Sequence, residues 1–129
     1  MAVSGTNVRP LVVLVVEDEL FVKYNVVVHL QDAGFDVVET ASGEEAIAFC
    51  ISGVTIDIVF TDINLAGAAT GWDVADAFQA NRPDVPVLYT SGHLIDPDRC
   101  IPGSMIVAKP YSGSEIVDAC RRMAVQPRS

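Results

Sequence analysis

Short unbroken apolar runs alternate along this chain with longer stretches of helical period. LVVLVV (residues 11–16) is rich in β-branched residues and runs directly into acids, the pattern of a strand buried on both faces of a parallel sheet. A helix is expected from about Glu19 to Ala33, stopped by Gly34, and FDVVET (35–40) reads as the second strand. Ser42, with Glu45 three residues on, is a capping-box signature for a second helix that runs to about Ser52 and is closed by Gly53. IDIVFT (56–61) is the third strand and GWDVADAFQAN (71–81) the third helix. VPVLYT (85–90) is the fourth strand, with Pro86 at its start, where a missing donor is tolerated. SMIVAK (104–109) supplies the fifth strand and SEIVDACRRMAV (114–125) the last helix, with Ser114 as its cap and Arg121 and Arg122 near its negative end.

Strands alternating with helices at this spacing imply right-handed βαβ units, and so an α/β fold with a doubly wound, five-stranded parallel sheet. One element breaks the regularity. SGHLIDPDRCIPG (91–103) carries Pro97 and Pro102 and has little helical period, so a fourth helix between strands four and five is expected to be short or irregular. Residues 1–9 read as a flexible N-terminal arm, 10–125 as the domain and 126–129 as a C-terminal tail.

Composition narrows the partners. Half of the 129 residues are hydrophobic, ample for one domain core. Seventeen acidic against 8 basic residues give a net charge of -9, which argues against nucleic acid or an anionic membrane as a direct partner. Cys50, Cys100 and Cys120 have no metal-type pairing and read as reduced core thiols, in keeping with a cytoplasmic location. The longest apolar run, Leu11 to Val16, is too short to cross a bilayer, and the N-terminus lacks the regions of a signal peptide.

The strand ends carry the candidate chemistry. In open α/β sheets ligands bind at the carboxyl ends of the strands. Here strand one ends in Glu17, Asp18 and Glu19, strand three in Asp62, strand four in Thr90, Ser91 and Gly92, and strand five in Lys109 and Pro110. Carboxylates from two strands repel at one edge unless a cation neutralises them, and an all-oxygen site suits Mg2+. Such a site invites a phosphoryl group, with Lys109 and the Ser91 hydroxyl completing a cradle and Asp62 as candidate nucleophile.

Taken together, Glu17-Asp18, Asp62, Ser91-Gly92 and Lys109-Pro110 at these strand ends resemble the receiver (response regulator, CheY-like) domains of bacterial two-component systems, across residues 10–125. The resemblance implies a flavodoxin-like sheet of order 2-1-3-4-5. It also implies a single-domain response regulator that accepts a phosphoryl group on Asp62 from a phosphohistidine, in a Mg2+-dependent reaction. Glu17, Asp18, Asp62 and the backbone carbonyl of Asn64 would hold the metal. Lys109 would pair with Asp62 and then with the phosphoryl oxygens, and Ser91 would turn to hydrogen-bond them. The bond before Pro110 is typically cis in the family. The expected partners are a sensor histidine kinase or a histidine phosphotransfer protein, with a homodimer as a further assembly, and the domain is expected to signal rather than to turn over substrate.

Several residues depart from the pattern or stand beside it. Ile106 occupies the position where the family often places an aromatic switch residue, so transmission by that route is not expected. His93 and Asn64 are candidate modulators, while His29 and Trp72 read as structural. On helix one, Val22, Val26, Val27 and Leu30 can face the sheet, and Phe21, Tyr24 and Val28 form a second stripe suited to docking a helical partner unless the last helix covers it. Two other classes stand beside this reading: a phosphorylation-independent binding module, and a Mg2+-dependent phosphatase with an aspartyl nucleophile. The phosphatase chemistry wants its nucleophile after strand one, with a second acid two residues on, whereas VVEDE sets the acids side by side.

Overall fold

The computed structural model describes residues 9–125; the expected arm, apart from Arg9, and the expected tail lie outside the described residues. Five strands, β1 (Val12–Val16), β2 (Asp36–Thr40), β3 (Ile58–Asp62), β4 (Val87–Ser91) and β5 (Met105–Ala108), pair entirely in parallel in the order β2-β1-β3-β4-β5. Four helices connect or follow them: α1 (Leu20–Asp32), α2 (Gly43–Cys50), α3 (Gly71–Asn81) and α4 (Gly113–Val125).

Central strands read as unbroken apolar runs because both of their faces are covered. Val13, Val15, Ile58, Phe60 and Leu88 pack with Val26 and Leu30 of α1 and Ile116, Ala119 and Cys120 of α4. The alternate residues Leu14, Val16, Val59, Val87 and Tyr89 pack with Ala46 and Cys50 of α2 and Val74, Ala75 and Phe78 of α3. Cys50, Cys100 and Cys120 are free, and burial pushes the Cys120 thiol up to about 12. Among the described residues no helix is long and apolar enough to cross a membrane.

Helix starts follow local chemistry. The Ser42 hydroxyl accepts the Glu45 N–H at 3.1 Å, while the Glu45 carboxylate reaches back to the N–H of Ala41. Thr70 and Asp73 form a reciprocal capping box at α3. The expected cap Ser114 is corrected to Ser112: its hydroxyl accepts the Glu115 N–H, and the Glu115 carboxylate accepts the Ser112 N–H at 2.8 Å. The serine that lies three residues before the glutamate can close that reciprocal pair, and Ser114 is adjacent to it.

Between β4 and β5 the irregular segment holds one 3-10 turn, Pro97–Arg99. β4 begins two residues later than expected; Pro86 just before it has no N–H to give but accepts the Val59 N–H at 3.0 Å. On α1 the outward stripe is not covered by α4. Phe21 is 88% and Tyr24 71% exposed, and with Leu20, Val27 and Val28 they line a surface groove.

Candidate functional site

Asp62 ends β3 in register with Thr90 of β4, deep at the carboxyl edge of the sheet, and is 4% exposed. Its Oδ1 accepts the N–H of Asn64 at 3.1 Å, and its Oδ2 accepts a hydrogen bond from Lys109 Nζ at 2.8 Å. Gly71 makes the approach of α3 to this strand end possible, since a Cβ there would overlap the Asp62 carbonyl.

Two further carboxylates follow β1. Oxygens of Glu17, Asp18 and Asp62 all lie within 4.8 Å of one another. Glu17 is 1% exposed; its Oε2 accepts the Glu19 N–H at 3.1 Å, and its Oε1 is buried with no hydrogen-bond partner among the described residues. Burial pushes the Glu17 carboxyl up to about 7; the charges of Asp62 and Asp18 add to the rise, while the Glu19 N–H and Lys109 oppose it. Asp18 is half-buried and its Oδ2 accepts the Ala66 N–H at 2.7 Å.

Lys109 leaves β5 beside these acids, its N–H donated to the Ser91 carbonyl at 2.9 Å. Burial alone would lower its ammonium, but the hydrogen bond and charge of Asp62, with Glu17 and Glu19, outweigh that and raise it. The Lys109–Pro110 peptide is cis. Ser91 is buried at the end of β4 and its hydroxyl accepts the N–H of His93 at 3.1 Å.

A divalent cation fits the donor set. Three carboxylates at one edge, one of them with a buried unsatisfied oxygen, form an oxygen-only site whose mutual repulsion a hard cation relieves. A cleft of about 430 Å³ lies alongside, lined by Glu19, Val22, Asn25, Lys109, Pro110 and Tyr111.

The fold thus brings Glu17, Asp18, Asp62, Ser91 and Lys109 to one edge. Asn64 is exposed and contributes its N–H to Asp62. Gly92 and His93 are exposed beyond Ser91, and Ile106, 42% exposed, lies on edge strand β5 opposite Tyr89. Tyr111 was not singled out from the sequence. Its ring meets Phe60 edge to face at 5.9 Å, and its buried hydroxyl, like that of Thr90, has no hydrogen-bond partner among the described residues. Burial, then the charges of Glu17, Asp62 and Glu19, hold its phenol above the usual range. Its place directly after Lys109-Pro110 was the available signal.

Known proteins give a consistent picture. The family model described as response regulator receiver domain matches residues 13–121. A response regulator receiver protein from Sinorhizobium medicae WSM419 is 32% identical, with a TM-score of 0.84 over 88% of this chain and 94% of that one. The receiver domain of the hybrid histidine kinase CckA is 25% identical, with a TM-score of 0.74 over 87% of this chain and 97% of that one. The Vibrio cholerae chemotaxis protein CheY4, at 23% identity, shares the fold with a TM-score of 0.75 over 88% of this chain and 98% of that one. No curated protein matches the chain.

Proposed function

Because the chain belongs to the response regulator receiver domain family, we propose that it accepts a phosphoryl group on Asp62 from a phosphohistidine partner. One observation carries the reading: a buried aspartate at a strand end has each oxygen held separately, by the Asn64 N–H and by Lys109 Nζ, beside two more carboxylates. That arrangement presents the carboxylate in one orientation, and phosphoryl transfer depends chiefly on positioning and charge.

In the step proposed, an Asp62 oxygen forms a bond to phosphorus as the bond to the donor imidazole nitrogen breaks, and the electron pair returns to that nitrogen. Bound Mg2+, held by Glu17, Asp18, Asp62 and the Asn64 carbonyl, would supply positive charge against the reacting oxygens. Lys109 gives up its bond to Asp62 Oδ2 and takes up a phosphoryl oxygen. The acyl phosphate adds a charge of about -1.5 to -2, so without Lys109 the acidic edge would repel it. The Ser91 hydroxyl leaves the His93 N–H and donates to another phosphoryl oxygen. That exchange couples the site to the exposed segment after β4 and replaces the route that Ile106 lacks. The change in preference between two conformations need be only a few kcal/mol.

The exposed Phe21 and Tyr24 on α1, with the half-buried Val28 beside them, support docking of a helical sensor kinase or phosphotransfer domain close to the acids. The domain proper would span residues 10–125 and act in the cytoplasm as a signalling module, not as a turnover enzyme. The test is intact-mass measurement after incubation with acetyl phosphate and Mg2+. One added phosphoryl group is expected in the wild type and none in Asp62→Ala. With a phosphorylated phosphotransfer domain as donor, Tyr24→Glu is expected to slow transfer while leaving labelling by acetyl phosphate intact. If neither donor labels the wild type, the chain is a phosphorylation-independent binding module instead.

A further inference from the structure

The loop from β3 to α3 hangs between two carboxylates that lie far apart in the chain. The Ala66 N–H donates to Asp18 Oδ2 at 2.7 Å, and the Ala68 N–H donates to Glu44 Oε2 at 3.2 Å. Between them Gly67 adopts a φ of +97°, which disfavours any side chain, and a Cβ there would lie 3.3 and 3.4 Å from the two Glu44 oxygens. Glu44 sits in the first turn of α2, outside the acidic cluster.

We infer that Glu44 is a positioning residue for the cation site, acting through this loop on Asp18. By holding Ala68, Glu44 keeps the loop in the conformation in which Ala66 fixes Asp18 Oδ2. A carboxylate rotates broadly about its last bond, so pinning one oxygen orients the other toward a cation. Left unpinned, half-buried Asp18 turns part of the time to water, and each turn must be reversed before a cation binds. Partners of ligating groups that fix their orientation have measurable weight in metal affinity. The inference rests on the reading of Glu17, Asp18 and Asp62 as a divalent-cation site.

Glu44 has a second, purely structural effect, because an acid in the first turn favours the positive end of its own helix. Two substitutions separate the effects. Glu44→Gln keeps an acceptor oxygen for the Ala68 N–H and loses the charge, whereas Glu44→Ala loses both. Both are expected to lower the melting temperature slightly. Mg2+ affinity of the whole chain, measured by calorimetric titration, is expected to fall about threefold to tenfold in Glu44→Ala, at or below the usual range for such partners because the bond is exposed, and to stay near wild type in Glu44→Gln. In metal-free protein, hydrogen exchange at Ala66 and Ala68 is expected to quicken in Glu44→Ala alone.

Equal Mg2+ affinity in wild type and Glu44→Ala, or a Gln variant as weak as the Ala variant, overturns the inference while leaving phosphoryl acceptance intact. A wild type that binds no Mg2+ overturns the cation reading, and this inference with it. Unchanged exchange at Ala66 and Ala68 in Glu44→Ala overturns the inference whatever the metal does.

Discussion

The two faces of the sheet are closed in different ways. On one face the 13-residue helices α1 and α4 lie over β1, β3 and β4, and a continuous hydrophobic cluster fills the space between them. On the other, α2 and α3 cover the sheet as far as β4, and the ground beyond is held by an irregular segment with pins. Arg99 stacks over the Trp72 ring at 4.8 Å and pairs with Asp76 at 3.1 Å. Trp72 lies against Tyr89, ring centroids 5.1 Å apart, and the Tyr89 hydroxyl accepts the Ile101 N–H at 3.3 Å. Trp72 therefore packs, as its sequence context suggested, but against the segment as well as the sheet. Ile106 stays exposed because no helix lies over it.

Under the function proposed, the difference bears on how a signal would leave the site. Asp62, Glu17 and Lys109 are mounted on strands whose one face is locked by large-area packing, which resists small displacements. Ser91 opens directly into the pinned segment, where few groups hold the chain. If the Ser91 hydroxyl leaves the His93 N–H as proposed, it would disturb the part of the molecule that is easiest to rearrange.

The largest expected effect tests the packed face. Phe60→Ala removes a fully buried ring that also contacts Tyr111 and is expected to cost about 3–5 kcal/mol, read as a lower denaturation midpoint in urea. A loss below 1 kcal/mol would mean that this face is not the rigid mount described.

The second effect is a cost that the packed core carries at the strand ends. Glu17 titrates near 4.5 when unfolded and about 7 when folded, so between these values the folded chain binds the proton more tightly. Its contribution to stability is present below about pH 4.5 and is lost as pH rises through 7, a swing on the order of 3 kcal/mol. Melting temperatures in chelator, from pH 5 to pH 8, are expected to fall in the wild type and to fall less in Glu17→Gln. Identical slopes would remove Glu17 from the account.

The smallest global effect sharpens the contrast most. Arg99→Ala breaks an exposed ion pair and the ring contact, so the unfolding midpoint should move little. Exchange of the Ile101 amide should nevertheless quicken, because its acceptor Tyr89 is then no longer backed by a clamped segment. A fall in global stability as large as that of Phe60→Ala would erase the distinction between the faces.

Much of this was legible along the chain. The strands, their order of appearance and the acids at their ends follow from unbroken apolar runs, and the weak fourth helix follows from two prolines without helical period. Family resemblance supplied the sheet order and a cis bond before Pro110. The boundary errors were local: Ser114 and Ser112 are both plausible caps until the Glu115 carboxylate selects one. Tyr111 and Glu44 were not singled out, and Thr90 was placed at its strand end with no role for its hydroxyl, since nothing in a periodic pattern says which hydroxyl will be left without a partner or which carboxylate will meet a distant amide.

By itself, then, the sequence determined the strands, the helices and the placing of Asp62, Glu17, Asp18 and Lys109 at strand ends, because run length and period are properties of neighbouring residues. Tertiary structure decided that Phe21 and Tyr24 stay uncovered, that Arg99 rather than a helix holds the segment before β5, and that Glu44 meets the loop beside Asp18. Those outcomes depend on contacts between residues some 20 or more positions apart, such as Glu44 with Ala68 and Asp76 with Arg99, which form only when the whole sheet has brought their elements together.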